Sequence, residues 1–175
     1  ADVINLNVST ISKKESLSRL GWVNNNMFCP YDDVEFDGEV QYKYLYESVG
    51  SKGTLNDWVD FVKPLRSNKL VRLMLASSFA SPLIEKVNAL PFVFHLWGGT
   101  GTGKTVALMV AMSIWGNPSM GKLTRTLNMT QNSMMSTASF LNNLPFGADE
   151  LQSIKSRFEN YDTLIMKLTE GIDRG

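Results

Sequence analysis

The chain has 175 residues, of which 43% are hydrophobic and 19% are charged, with 17 basic and 17 acidic side chains. Such a composition excludes a disordered or low-complexity chain and indicates one globular domain, or one domain with a small attachment. Because the formal net charge is zero, nucleic-acid binding would need a local basic patch. Cys29 is the only cysteine, which excludes an internal disulfide and favours a reducing, cytoplasmic location. Residues 105–121 are uncharged but too short to span a bilayer, and we expect no membrane partner.

Residues 1–53 are predicted to form a small β-rich N-terminal region. Short apolar stretches alternate there with turn-forming asparagine, aspartate and glycine residues. Tyr42, Tyr44 and Tyr46 recur at every second position, which predicts a strand over residues 40–46 with its tyrosines on one face. Such a row is typical of a packed face, although aromatic rows also stack on nucleic-acid bases.

Residues 54–90 are predicted to be a helical lead-in to the rest of the chain. Thr54 and Asp57 have the spacing of a capping box, which predicts a helix that ends or kinks at Pro64. A second helix is predicted over residues 68–80. Basic side chains recur along this region and are typical of a solvated face, with phosphate contact as the alternative: Arg66, Lys69 and Arg72.

The sequence from position 98 to position 105 matches the phosphate-binding pattern G-x-x-x-x-G-K-[ST]: Gly98, Gly99, Thr100, Gly101, Thr102, Gly103, Lys104 and Thr105. Residues 90–97 before it are predicted to be a buried strand with His95 in the core, and residues 104–115 after it a helix, which is the context of a P-loop. Lys104 is predicted to bind the β- and γ-phosphates of ATP, and the Thr105 hydroxyl to bind Mg²⁺. The alternative is a glycine-rich turn without a ligand.

A second motif follows at residues 144–150, a predicted short strand that ends in Asp149 and Glu150. Before it, a core strand is predicted over residues 122–127 and a helix over residues 128–141. The pair is placed as a Walker B element would be, with Asp149 as a Mg²⁺ ligand and Glu150 as the catalytic base that activates water. The alternative is a pair of ordinary surface acids. After the pair, apolar residues at spacings of three and four predict a helix over residues 151–168.

These motifs predict an α/β fold, with a P-loop NTPase parallel sheet core over residues 91–175 and the β-rich and helical regions attached before it. Only 25 residues follow Glu150, whereas an open parallel P-loop sheet normally has further strands after the Walker B strand. We therefore expect the chain to be the first half of a core that is completed by a longer polypeptide.

Several segments together resemble one family, the "domain of unknown function 927" ATPases of phage and mobile-element primase–helicase proteins. The resemblance covers the stretch from about residue 20 to residue 175. It rests on the segments Phe94 to Thr105, Ser113-Ile114-Trp115-Gly116-Asn117-Pro118, Arg125-Thr126-Leu127-Asn128-Met129-Thr130 and Leu144 to Leu151, with Leu20-Gly21-Trp22 and Gly53 to Trp58 upstream.

The resemblance implies a helicase motor of the AAA+ or superfamily-three type that acts on single-stranded or duplex DNA, with a primase on the same polypeptide or as a partner. It also implies a homo-oligomeric ring, with ATP between neighbouring subunits. No residue here matches the family's sensor or its trans-acting arginine, so we expect weak or no turnover from these 175 residues. Two other functions remain open: a phosphotransferase or GTPase on the same loop, and a nucleotide-gated switch or assembly module.

Overall fold

The computed structural model describes residues 16–23, 26–31, 34–126 and 129–149, together with residues 165, 166 and 169. Over these residues the chain is a mixed α/β protein, as predicted. The elements in chain order are β1 (Ser16–Leu17), β2 (Gly21–Val23), β3 (Met27–Cys29), β4 (Glu35–Phe36), a 3₁₀ turn (Val40–Tyr42), α1 (Lys43–Tyr46), α2 (Leu55–Leu65), α3 (Lys69–Ala80), α4 (Leu83–Lys86), α5 (Lys104–Met112), β5 (Thr124–Thr126), α6 (Gln131–Leu141) and β6 (Gly147–Asp149). Within the described ranges no helix is long and apolar enough to cross a membrane.

The strands that the structure describes form three separate pairs. β1 and β4 form a parallel pair, β2 and β3 an antiparallel pair, and β5 and β6 a parallel pair. In the third pair, Thr124 lies opposite Gly147 and Thr126 lies opposite Asp149. The strands predicted over residues 122–127 and 144–150 are therefore present at their centres, and they are direct parallel neighbours. Because parallel strands need a crossover, α6 between them is the expected connection.

Capping residues set the starts of the long helices. The Thr54 hydroxyl accepts a hydrogen bond from the backbone N–H of Asp57 at 3.2 Å, and the Asp57 carboxylate accepts one from the backbone N–H of Thr54 at 3.3 Å. This reciprocal pair is the predicted capping box. The helix continues through Pro64 and ends one residue later, at Leu65. Asn68 caps α3 by accepting from the N–H of Leu70 at 2.8 Å, and α3 covers the predicted 68–80 segment.

Residues 40–46 are helical, so the predicted tyrosine-faced strand is wrong. The buried side chains here recur with the spacing of a helix, since Leu45 and Val49 are both buried and lie four residues apart. Tyr42 stacks on the Phe140 ring, with centroids 4.6 Å apart. Apolar side chains at spacings of three and four thus face the core, and this burial outweighs the two-residue repeat of the tyrosines.

One hydrophobic core joins the N-terminal strands to the segment that follows the glycine-rich loop. Its buried members come from both regions: Leu20, Cys29, Leu45, Val49, Met112, Leu123, Phe140, Leu141 and Leu144. Backbone hydrogen bonds connect the same regions, from the N–H of Gly50 to Trp115 O at 2.9 Å and from the N–H of Asn117 to Ser48 O at 2.8 Å. The N-terminal region therefore helps to hold α5 and β6 in place.

Helix α5 is also held from its other side, by α2 and α3. Ser78 on α3 donates to Ala111 O at 2.9 Å and accepts from the Trp115 indole N–H at 2.9 Å. The Trp58 indole on α2 donates to the Ser113 hydroxyl at 3.0 Å. Small buried side chains on α5, such as Ala107, let α3 approach closely. These contacts fix the helix that begins at the glycine-rich loop.

The segment before that loop is not a strand, so the prediction for residues 90–97 is wrong. Residues 89–99 run without helix, turn or bend, and they pair with none of the strands in the described part of the chain. Phe92, Phe94 and Trp97 are exposed, and His95, predicted to lie in the core, is exposed as well. The apolar side chains are those of a buried strand, but a strand also needs a neighbouring backbone to pair with.

Candidate functional site

The glycine-rich loop joins the straight segment of residues 89–99 to the first turn of α5. Gly98, Gly101 and Gly103 have φ values of +151°, +78° and +83°. Such angles are available to glycine at little cost and strain any residue that carries a Cβ. Gly103 immediately precedes α5, so this left-handed residue directs the chain into the helix. The glycines therefore shape the loop through the backbone alone.

Lys104 lies over this loop. Its Nζ donates hydrogen bonds to Gly98 O at 2.9 Å, to Gly99 O at 2.6 Å and to the Thr102 hydroxyl at 3.2 Å. The Thr102 hydroxyl in turn donates to Gly99 O at 3.0 Å. The lysine charge thus sits at the N-terminus of α5, where the helix dipole adds further positive potential. A negatively charged group is the ligand that suits this position.

The two motifs predicted separately from the sequence meet at one hydrogen bond. The Thr105 hydroxyl, in the first turn of α5, donates to Asp149 Oδ2 at 2.6 Å across a separation of 44 residues. Asp149 is the last residue of β6. Both side chains are partly buried. The structure therefore places the predicted metal ligands side by side, next to the predicted phosphate loop.

Close packing explains why β6 carries small residues. A Cβ built on Gly147 would lie 2.7 Å from the Met112 sulfur and 3.1 Å from Leu123 O. The Met112 side chain of α5 and the backbone just before β5 thus come so near Gly147 that a larger residue would have to displace one of them. The position of Asp149 beside Thr105 depends on this close approach, because α5 carries Thr105 and β6 carries Asp149.

The donor set suits a magnesium–phosphate ligand. A hydroxyl and a carboxylate provide hard oxygen atoms of the kind that Mg²⁺ prefers, and a lysine stands at the helix N-terminus beside them. Gly98 to Thr105 and Asp149 all lie in the described part of the chain and converge on one place. Glu150, the predicted base, and most of the predicted helix over residues 151–168 lie outside the described residues.

Sequence reasoning missed a buried asparagine that connects the site to the N-terminal region. The Asn143 side chain accepts from the backbone N–H of Trp22 at 2.9 Å and donates to the Glu85 carboxylate at 2.7 Å. The backbone carbonyl of Asn143 accepts from the Ser81 hydroxyl at 2.9 Å. Asn142 beside it has a φ of +53°. No local pattern in the sequence singles out Asn143, because its partners Trp22, Ser81 and Glu85 lie far from it in the chain. In the structure, Asn143 anchors the chain just before it enters β6.

A cavity of about 310 Å³ lies next to the site and was also missed. Residues 91–96 and residues 144–149 both line it, and Lys104 lines it as well. Periodicity in the sequence carries no signal for a cavity, because both bordering segments read as ordinary core strands.

The family comparison agrees with the segments that carried the resemblance. The family described as "Domain of unknown function (DUF927)" matches residues 2–175. The chain belongs to this family. No curated protein matches it. The glycine-rich loop, Asp149 and the Trp115-Gly116-Asn117 connection to the N-terminal region all lie within the matched part of this DUF927 chain.

Proposed function

We propose that the loop of residues 98–105 binds the phosphates of ATP together with Mg²⁺, on a P-loop NTPase core. The observation that carries this proposal is the 2.6 Å hydrogen bond between the Thr105 hydroxyl and the Asp149 carboxylate. A pair of unrelated surface acids would have no reason to end a strand beside this threonine. A glycine-rich turn without a ligand would likewise not be expected to lie beside a carboxylate from a distant strand.

Each polar group of the loop has a role in this proposal. Lys104 exchanges its contacts with the Gly98 and Gly99 carbonyls for contacts with phosphate oxygens. Thr105 and Asp149 hold Mg²⁺, which neutralises part of the phosphate charge when it is bound. The backbone N–H groups of the glycine loop complete the anion site at the start of α5. Glu150, next in sequence to Asp149, takes the proton of the attacking water.

We further propose that the domain is part of an ATP-dependent DNA helicase of the primase–helicase type. The support is the resemblance carried by the segments around Trp115, Arg125 and Leu144. Arg66, Lys69 and Arg72 are exposed near the α2–α3 connection and provide a basic surface for DNA phosphates. In this proposal the protein acts as a homo-oligomeric ring, and the 175 residues alone have weak or no ATPase turnover.

Calorimetric titration of Mg²⁺-ATP into the wild type and Lys104→Ala tests the phosphate site. We expect affinity to fall at least about tenfold, because a charged hydrogen bond contributes about 1.5–3 kcal/mol. Lys63→Ala is the matched control, since Lys63 is an exposed lysine near the end of α2. Equal affinities of Lys104→Ala and the wild type would show that the phosphates do not bind at this loop.

A turnover assay on the complete protein tests the motor. We expect ATP to be preferred over GTP, phosphate to be released to water, and single-stranded DNA to stimulate the rate. Glu150→Gln should abolish turnover while it leaves ATP binding intact. Transfer of phosphate to a small acceptor would favour a phosphotransferase. ATPase activity that DNA does not change, without strand separation, would favour a nucleotide-gated switch.

A further inference from the structure

Trp97 is the last residue before the glycine-rich loop, and its side chain is not packed into the fold. The side chain is 87% exposed, although tryptophan is on average among the well-buried residue types. Its indole makes no hydrogen bond or ring contact with any residue that the structure describes. The preceding residues 91–96 all line the cavity, whereas Trp97 does not. Neither packing nor the cavity therefore accounts for a tryptophan at this position.

The other three tryptophans show how this chain uses an indole to support its fold. Each is partly buried, lies beside at least one other aromatic ring and donates its indole N–H to an oxygen atom: Trp22, Trp58 and Trp115. Within the described residues Trp97 has neither a ring beside it nor an acceptor for its N–H. It differs from the others as a residue that faces solvent next to a candidate binding site.

Trp97 is joined directly to the loop that holds Lys104. The Lys104 ammonium group lies 2.9 Å from the carbonyl oxygen of Gly98, the residue next to Trp97. Because consecutive Cα atoms are about 3.8 Å apart, the indole begins at the edge of the proposed phosphate site. A Cβ built on Gly98 would meet only the Thr102 hydroxyl, 3.8 Å away, and one built on Gly99 would meet no atom within 4 Å. The backbone that follows Trp97 is thus uncovered.

We propose that the Trp97 indole stacks on the base of the nucleotide whose phosphates the loop binds. This inference rests on the phosphate site proposed above. A nucleoside triphosphate has a charged end, which suits Lys104 and the start of α5, and an aromatic end with a flat π-face, which an indole covers well. Because every base has such a face, Trp97 favours nucleotides over inorganic polyphosphate and does not choose between adenine and guanine.

The charges around Trp97 suit one nucleotide better than a DNA strand. Lys104 is the only lysine or arginine between positions 87 and 121. Proteins that bind single-stranded DNA combine stacking aromatic residues with a positively charged groove that follows the backbone of the strand. The segment around Trp97 offers one cationic side chain in place of such a groove, and that side chain belongs to the phosphate loop.

Calorimetry on the complete protein tests the stacking with two ligands, Mg²⁺-ATP and Mg²⁺-tripolyphosphate, which has no base. Trp97→Ala should weaken ATP binding at least about fivefold, as expected for the loss of one stacked base, and should change tripolyphosphate binding less than about twofold. Trp97→Phe keeps a π-face and should retain most of the ATP affinity. Phe61→Ala is the matched control, because Phe61 is 61% exposed on α2, which meets α5 at Ser113, at the opposite end from the loop.

Indole fluorescence gives a second measurement, with excitation at the long-wavelength edge of the indole band, where adenine does not absorb. Mg²⁺-ATP should quench the emission of the wild type, and tripolyphosphate should not. Trp97→Phe should lose this quenching although it still binds ATP. Circular dichroism should show that all the variants are folded, since Trp97 makes no contact that they would lose.

The outcomes separate this inference from the proposal on which it rests. If the wild type binds both ligands and Trp97→Ala binds ATP as tightly as the wild type, the stacking is wrong and the phosphate site stands. If the wild type binds neither ligand, the phosphate site is wrong and the stacking with it. Quenching by single-stranded DNA but not by ATP would overturn the inference and assign Trp97 to a base of DNA.

Discussion

Replacing Gly103 by alanine tests whether ligand binding by the loop requires the left-handed backbone conformation at this position. Gly103 has a φ of +83°, and a Cβ added to it would meet no atom within 4 Å. Gly99 in the same loop is equally open but lacks a positive φ. The motif also allows any residue at position 99, whereas it requires glycine at position 103. Gly99→Ala is therefore the matched control.

The size of the effect follows from the left-handed conformation. Placing alanine in this region costs about 1–2 kcal/mol, and no steric overlap adds to that cost. In the free Gly103→Ala protein the loop is expected to relax to a different conformation, so ligand binding has to restore the strained one. A penalty of about 1–2 kcal/mol corresponds to a dissociation constant raised about 5–30-fold.

Calorimetric titration of Mg²⁺-ATP into the two variants measures this difference. We expect affinity to fall about 5–30-fold for Gly103→Ala and less than about twofold for Gly99→Ala. Both variants should keep the wild-type circular dichroism spectrum, because a Cβ added at either glycine would meet no atom within 4 Å. Equal affinities for the two variants would refute the reasoning, since the loop shape would then not matter for the ligand.

Three further predictions concern the scaffold around the site. In Gly116→Ala the new Cβ would lie 2.1 Å from Ser48 O, so the neighbouring backbone hydrogen bonds of Gly50 and Asn117 should be lost. We expect the free energy of unfolding to fall by about 2–3 kcal/mol. An unchanged midpoint of urea unfolding would contradict this close approach. Thr54→Ala removes the capping box and should lower the free energy of unfolding by about 1 kcal/mol, or Tm by about 2–4 °C. Ser51→Ala in the preceding loop is the control and should change Tm by less than about 1 °C. Equal Tm shifts in the two variants would contradict the assigned cap. Tyr31 is only partly buried, with 43% of its surface exposed, and desolvation by this partial burial raises its pKa from 10.0 to about 12. Its contribution to stability is therefore full below pH 10 and is lost as pH rises towards 12. Urea unfolding at pH 9 and pH 11.5 should therefore show a smaller loss of stability in Tyr31→Phe than in the wild type, and equal losses would contradict the assignment.

Local signals in the sequence predicted several features correctly. The spacing of Thr54 and Asp57 predicted the capping box, because a cap depends only on residues within one helical turn. The strands around Thr124 and Gly147 were predicted as short strands, and both are present. Asp149 and Thr105 were singled out by separate motifs, and the structure places them 2.6 Å apart. The roles given to them, to Lys104 and to Glu150 stay predictions.

Two incorrect predictions share one cause, which is that a strand depends on its neighbours. The tyrosine repeat over residues 40–46 has the period of a strand, yet Leu45 and Val49 are drawn into the core and the segment is helical. Residues 90–97 have the composition of a buried strand, yet they pair with none of the other strands that the structure describes, and most of their side chains are exposed. Pairing is a long-range property that a short window of sequence does not contain.

The sequence by itself determined the elements whose causes are local: the glycines that permit positive φ before α5, the caps of α2 and α3, and the identity of the loop and acidic motifs. Only the tertiary structure decided how these parts meet. Gly147 lets α5 approach β6, so that Thr105 reaches Asp149, and Asn143 anchors the start of β6 to the N-terminal region. The tertiary structure also revealed the cavity that residues 91–96 and β6 help to line. The physical reason is the range of the interactions, because capping and backbone angles act within a few residues, whereas packing and strand pairing join segments far apart in the chain.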